Sequence, residues 1–213
     1  MRKALLFTLL FFPILAFCQV TDHEGRTYKT VTIGNQTWMA ENLNVSTFRN
    51  GDLIYLAEDS DTWWLSGEAG EPCIADIEFD VINSLDFGKL YNFFVIIDPR
   101  GIIPDGWRIP TDEDWNILAE TLGGPEAATA KLKSVDGWAE ENGTDESGFT
   151  AYPIGMIDTE GYFNDLGFGA YFWSSTLEDD LALNRNLTEN KFPFEKAQSN
   201  FMNGMSIRLI KIN

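Results

Sequence analysis

The means of doing chemistry in this chain are lopsided: one histidine, His23, two cysteines, Cys18 and Cys73, and 33 acidic side chains among 213 residues. A nucleophilic triad would have to couple His23 to Cys73, and no Gly-x-Ser-x-Gly elbow presents a nucleophile. A single histidine is too few for a histidine-built transition-metal site. Glycosidic hydrolysis needs only two carboxylates at a set separation, so an acid-rich chain always offers candidates and singles out none. Calcium wants oxygen-rich loops, which Glu58-Asp59-Ser60-Asp61, Asp145-Glu146 and Glu178-Asp179-Asp180 supply, although none has the Asp-x-Asp-x-Asp-Gly spacing. No cofactor is expected, with a structural calcium ion as the open exception. Cys73 reads as a packed thiol, since free cysteine behaves as a small apolar residue.

Recognition chemistry is better supplied. Aromatic residues make up 14% of the chain, including 7 Trp and 16 Phe, too many for a disordered segment and enough for a substantial core. Trp63-Trp64 is the exception to burial: adjacent side chains point opposite ways, so Trp64 is a candidate for an exposed binding ring.

The elements that must position these groups are marked unevenly. The alternating stretch Tyr28-Lys29-Thr30-Val31-Thr32-Ile33, the turn Gly34-Asn35 and the run Gln36-Thr37-Trp38-Met39 predict a hairpin. Residues 50–84, rich in Gly, Asp, Glu and Ser, read as a long loop or insertion. Phe87, Leu90, Tyr91 and Phe94 have helical spacing. Thr111 is a helix cap followed by Asp112, Glu113 and Asp114 at the positive end of the dipole, with Trp115, Leu118, Ala119 and Leu122 as the apolar stripe and Gly123-Gly124 as the stop. Pro125 opens a second short helix to about residue 134, and the remainder is β-like around residues 148–153, 170–175 and 205–212.

Residues 1–18 read as a signal peptide: Met1-Arg2-Lys3, then an apolar run over 4–17 that is too short to span a bilayer and carries Pro13. Cleavage after Cys18, with Ala16 and Cys18 at the small-residue positions, gives a secreted or cell-surface form. Lipid attachment at Cys18 gives an outer-membrane lipoprotein instead, and only then a membrane partner. Loss of Arg2 and Lys3 takes the net charge from −18 to −20, which repels phosphate backbones and excludes nucleic acid as a natural partner.

Several segments in order resemble the Fibrobacter succinogenes major paralogous domain: Gly34-Asn35-Gln36-Thr37-Trp38-Met39-Ala40-Glu41-Asn42-Leu43-Asn44, Gly106-Trp107-Arg108-Ile109-Pro110-Thr111-Asp112-Glu113-Asp114-Trp115, Glu146-Ser147-Gly148-Phe149-Thr150-Ala151, Phe172-Trp173-Ser174-Ser175-Thr176 and Ser206-Ile207-Arg208. The resemblance implies one exported α+β domain over residues 19–213, C-type-lectin-like, with mixed, largely antiparallel strands and two short helices. The segment around Trp107 is also similar to the helix entry of formylglycine-generating enzymes, which work through a cysteine pair; here no cysteine follows Cys73. The chain departs from the family pattern over residues 65–86.

On that fold, relatives bind ligands with loops of the C-terminal half. The candidates implied here are Tyr162 and Tyr171 for flat apolar contact and Asn164, Asn184, Arg185, Asn186 and Asn203 for hydrogen-bond forks, joined by Trp64. The functional expectation is a non-catalytic domain recognising an extracellular glycan or protein. A structural cell-envelope component and a carboxylate-dependent hydrolase are the alternatives. Trp38, Trp107, Trp115, Trp138 and Trp173 are assigned to the core with Phe149 and Phe172.

Overall fold

The Gly34-Asn35 turn does what its residues dictate: Gly34 sits at φ +59°, and the turn joins β2 (Thr27–Ile33) to β3 (Gln36–Met39), with Ile33 opposite Gln36 and Val31 opposite Trp38. A short β1 (Gln19–Thr21) precedes them and pairs with β2. The computed structural model describes residues 19–188 and 193–212; the leader read over residues 1–18, with Cys18, lies outside them. No described helix is long and apolar enough to cross a membrane.

Along the chain follow β4 (Tyr55–Ala57), α1 (Ser60–Glu68), β5 (Cys73–Ala75), a 3-10 turn at Ile77–Phe79, α2 (Val81–Phe87), β6 (Leu90–Asn92) and α3 (Phe93–Ile97). Then come β7 (Trp107–Arg108), α4 (Asp112–Thr121), α5 (Pro125–Leu132), β8 (Ile154–Ile157), β9 (Phe163–Leu166), β10 (Gly169–Glu178), β11 (Leu181–Thr188), β12 (Glu195–Ser199), β13 (Gly204–Met205) and β14 (Ile210–Lys211). A five-stranded sheet runs β1-β2-β3-β14-β7, so the first and last strands share one sheet. The larger sheet runs β12-β11-β10-β8-β13-β6-β5-β4, with β9 on β8. Pairing is antiparallel except for β8 with β10 and β4 with β5. This is the expected α+β domain with largely antiparallel strands.

The two expected helices are α4 and α5. Thr111 caps α4, accepting the Asp114 amide at 3.2 Å, while Asp114 accepts the Thr111 amide and hydroxyl, each at 2.7 Å. Trp115, Leu118, Ala119 and Leu122 are buried, and Trp115 packs against Trp38, Phe149, Phe172 and Phe194 at centroid distances of 4.6–6.1 Å. Trp138 and Trp173 are buried as assigned, and Trp107 is half-buried.

Of three further short helices, α1 and most of α2 lie where the sequence reads a loop, and α3 lies within the stretch read as one helix from Phe87. The stretch over 50–84 is folded: Asp59 and Thr62 form a capping box that starts α1, a short-range signal that its Gly- and Ser-rich composition hides. The run Phe87, Leu90, Tyr91, Phe94 is not one helix. Gly88 (φ +80°, ψ −177°) breaks it, and Leu90, Tyr91 and Asn92 form β6, buried between β5 and β13. Asn92 then caps α3 by accepting the Val95 amide, and also accepts the Cys73 amide at 3.0 Å.

Burial alone would push the Asp114 carboxyl up, but the Arg108 guanidinium (2.5 and 2.8 Å) and the Thr111 donors outweigh it and hold it below the ordinary carboxylate range. Such a group contributes stability above its unfolded value, about pH 4, and loses that contribution as pH falls through its folded value. Asp114→Asn should therefore lower unfolding stability at pH 7 by about 2 kcal/mol, with the gap to wild type closing below about pH 4. Urea unfolding at a series of pH values measures both, and a gap independent of pH would remove Asp114 as the titrating group.

Candidate functional site

Three segments remote in sequence meet at the guanidinium of Arg208, which is only 1% exposed. Its Nε donates to Asn42 Oδ1 at 2.5 Å, Nη1 to the carbonyls of Met39 (3.2 Å) and Phe149 (2.5 Å), and Nη2 to the carbonyl of Thr150 (2.9 Å). Its Cζ lies 4.5 Å from the Phe149 ring centroid and 5.6 Å from that of Phe172. Among the described residues no carboxylate reaches it at ion-pair distance, so carbonyl dipoles and ring faces take the place of a counter-ion. Burial pushes its pKa down to about 9, opposed by the more distant Glu41 and Asp145, and it remains a cation at neutral pH.

The surroundings are bent to suit it. Thr150 sits at φ +55°, a left-handed conformation that costs a β-branched residue about 1–3 kcal/mol. Asp145 holds it there, accepting the Thr150 amide at 2.8 Å and its hydroxyl at 2.7 Å, and two successive carbonyls thereby face the arginine. Asn42, its oxygen occupied by Arg208, donates from Nδ2 to the Phe87 carbonyl at 2.8 Å. A Cβ on Gly88 would stand 2.8 Å from Asn42 Cβ and from the Leu43 carbonyl, so only glycine lets the end of α2 approach this closely.

Above this floor opens a cleft of about 760 Å³. Its walls are Lys29 and Val31 of β2, Glu41 and Asn42 after β3, Asp86 and Phe87 at the end of α2, Asp136, and Thr150 and Tyr152. Phe87 and Tyr152 are half-buried and meet edge to face at 4.9 Å, while Asp86 and Asp136 are exposed. Burial raises the Tyr152 phenol, and the carboxylates of Asp136, Asp145 and Asp86 add to this against Arg208, so its hydroxyl stays protonated and able to donate.

The residues singled out from sequence lie elsewhere. Trp64 and Tyr162 are exposed, and Asn164 is exposed but braces its own turn by donating to Asp158 Oδ2 (2.8 Å) and the Tyr162 carbonyl (3.1 Å). The other five are buried, which corrects their reading as a binding face. Asn184, Arg185 and Asn186 belong to β11, which is paired on both edges by β10 and β12 rather than lying in a loop. Arg185 binds Asp112 (2.5 and 3.0 Å) and Asn116 (2.6 Å); Asn184 donates to Ser199 Oγ at 2.8 Å. Tyr171 donates to Asp165, and Asn203 Nδ2 reaches the Ile157 carbonyl at 3.5 Å.

The other chemical candidates are also occupied. His23 Nε2 lies 3.0 Å from the Thr47 carbonyl. Cys73 is buried, and burial pushes its thiol up to about 11. Of the acidic clusters weighed for calcium, Asp59 caps α1, Asp145 holds Thr150 and Glu178 accepts from Gln198. No three metal-ligating side chains converge among the described residues. The cleft itself escaped sequence reasoning, although a signal was present. Arg208 stands in Met205-Ser206-Ile207-Arg208-Leu209-Ile210, and a charge within an apolar, strand-like run demands buried partners.

Fold and cleft together define a single-domain α+β protein with a cleft walled by aromatic rings, rimmed by carboxylates and floored by a buried arginine. The chain belongs to the Fibrobacter succinogenes major domain family, whose family model matches residues 31–211. No curated protein and no solved structure matches it. The matched span contains every residue that forms the cleft except Lys29 and Thr30.

Arg208→Lys keeps the charge but removes the planar fork, leaving at least one of its four acceptors without a donor, and should lower stability by about 2 kcal/mol. Denaturant unfolding measures it; an unchanged midpoint would mean that the fork does not hold the three segments together.

Proposed function

We propose that this protein is an exported, non-catalytic binding domain that takes a glycan in the cleft above Arg208. One juxtaposition carries the reading: the half-buried rings of Phe87 and Tyr152 line the same cleft as Glu41, Asp86 and Asp136. A sugar ring presents C–H faces that pack on aromatic side chains and hydroxyls that donate to carboxylates, and the cleft lies in the size range of small-ligand sites. The Tyr152 hydroxyl adds a donor.

Export rests on the basic and apolar leader of residues 1–18, with a secreted or cell-surface location, or an outer-membrane lipoprotein if Cys18 carries lipid. The family resemblance, together with mixed strands beside α4 and α5, supports a C-type-lectin-like domain. Binding through the C-terminal loops is reduced to Tyr162 and Asn164, outside the cleft, so the cleft takes their place. Three carboxylates around one cleft also favour a second reading, a hydrolase acting on the same glycan.

A glycan array probed with the chain from Gln19 onward, with calcium and with chelator, should give selective signals that fall at least about tenfold in Tyr152→Ala, the loss expected when a stacking ring is removed from a binding site. Asp136→Asn should weaken the same signals. Release of reducing sugar from a bound glycan would favour the hydrolase, loss of signal with chelator would place calcium in the binding, and a blank array would overturn glycan recognition.

A further inference from the structure

The guanidinium that floors the cleft is left one hydrogen bond short. Arginine carries five N–H donors, one on Nε and two on each terminal nitrogen. In Arg208, Nε donates to Asn42, Nη1 gives its two N–H groups to the carbonyls of Met39 and Phe149, and Nη2 gives one to Thr150. The second N–H of Nη2 meets no acceptor among the described residues. An unpaired buried donor is costly, most of all on a charged group, so this N–H calls for an oxygen from outside the chain.

Its direction follows from the acceptors around it. Asn42 and Thr150, which hold the Nε and Nη2 side, line the cleft together with Arg208 itself, whereas Met39 and Phe149, which hold Nη1, do not. The side of the guanidinium that keeps the spare donor is therefore the side turned to the cleft. Arg208 is 1% exposed, so this donor is recessed. A hydroxyl set directly on a sugar ring stays close to the ring, while an oxygen carried on an arm projects far enough to enter such a recess.

The rest of the lining narrows the acceptor. A ligand carboxylate would suit Arg208 and Lys29, but Glu41, Asp86 and Asp136 line the same cleft and oppose it. A neutral carbonyl meets no such repulsion. We propose, resting on the glycan reading above, that the ligand is an N-acetylated amino sugar whose acetamido carbonyl accepts from the spare N–H of Arg208 Nη2. The acetamido N–H then donates to a rim carboxylate, Asp86 and Asp136 being exposed and outside every described ion pair. Its methyl group packs on the half-buried rings of Phe87 and Tyr152. A free amino sugar lacks the carbonyl, and a plain hexose lacks both the carbonyl and the N–H.

The test follows the arginine directly, because Arg208→Lys also disturbs the fold. Nitrogen-15 spectra of the arginine side chains are recorded on the chain from Gln19 onward during titration with β-1,4-linked tetramers of N-acetylglucosamine, glucosamine, glucose and glucuronate. The acetylated tetramer should move the Arg208 Nη2 signal and bind at least about tenfold more tightly than the glucose tetramer, the fold-change of one hydrogen bond to a charged group. Tyr152→Ala should remove both effects. If the acetylated tetramer binds without moving the Arg208 signal, or the glucose tetramer binds equally well and Tyr152→Ala abolishes it, the acetamido assignment is overturned and the glycan reading stands. Tightest binding by glucosamine would trace the effect to charge attraction by the carboxylates, and tightest binding by glucuronate would make the partner of Arg208 a carboxylate; either overturns the assignment. Binding of none of these tetramers overturns it as well, and the glycan array then decides the glycan reading separately.

Discussion

A buried guanidinium without a carboxylate is the constraint on which the rest of this molecule depends. Removing a charge from water is tolerable only if every N–H finds an acceptor. Arg208 meets this for four of its five N–H groups by recruiting the Asn42 side chain and the carbonyls of Met39, Phe149 and Thr150. Those acceptors belong to the exit of the first hairpin and to the loop after α5, so satisfying one charge fixes how the two ends of the chain and its middle meet. The strained Thr150 follows from the same demand: its carbonyl can face the arginine only in a conformation that threonine disfavours. The aromatic group behind it, Trp38, Trp115, Phe149 and Phe172, supplies both the dry surroundings and two ring faces over which the cation sits.

Scarce cations explain much of the remaining electrostatics. Lys and Arg number 15 against 33 acids, and several are committed internally: Arg108 and Asp114 at the start of α4, Arg185 and Asp112 between α4 and β11, and the buried Lys89 and Asp76 pair. Each ties one element to another, so the acids left outside face solvent largely uncompensated. An acidic surface is therefore partly a consequence of how the interior is held, and it biases the exterior toward neutral hydroxylated or basic partners.

What was legible in the sequence follows from the range of the forces involved. Local rules placed the hairpin at Gly34-Asn35, the Thr111 cap with its apolar stripe, and Pro125 at the start of α5, because each depends on neighbours within a few residues. Residues 50–92 were misread because their elements are short: the local cap of α1 is hidden by its composition, and Leu90 and Tyr91 have helical spacing but lie in a strand enclosed on both sides. The site was less legible than the fold. Asn184, Arg185 and Asn186 carry the polarity of a binding loop, yet they lie in a doubly paired strand, where Arg185 binds Asp112 and Asn116 and Asn184 Nδ2 donates to Ser199. Arg208, the polar residue that does shape the cleft, sits in a run whose hydrophobicity suggests only core.

The balance between binding and hydrolysis in the cleft turns on enclosure rather than on residue type. A glycosidase requires one carboxyl kept protonated by dry, apolar surroundings and a second carboxylate across the scissile bond. Asp86 and Asp136 are exposed, Glu41 is half-buried with one oxygen accepting the Lys29 amide at 2.7 Å, and the most enclosed polar group facing the cleft is a cation at neutral pH already bound to four oxygens. Such an arrangement presents acceptors around an aromatic wall and a rigid floor, which supports the binding reading proposed above. Rigidity matters to that use, because a floor fixed by Arg208 before the ligand arrives spares the ordering cost that a loop-built site would bear on binding.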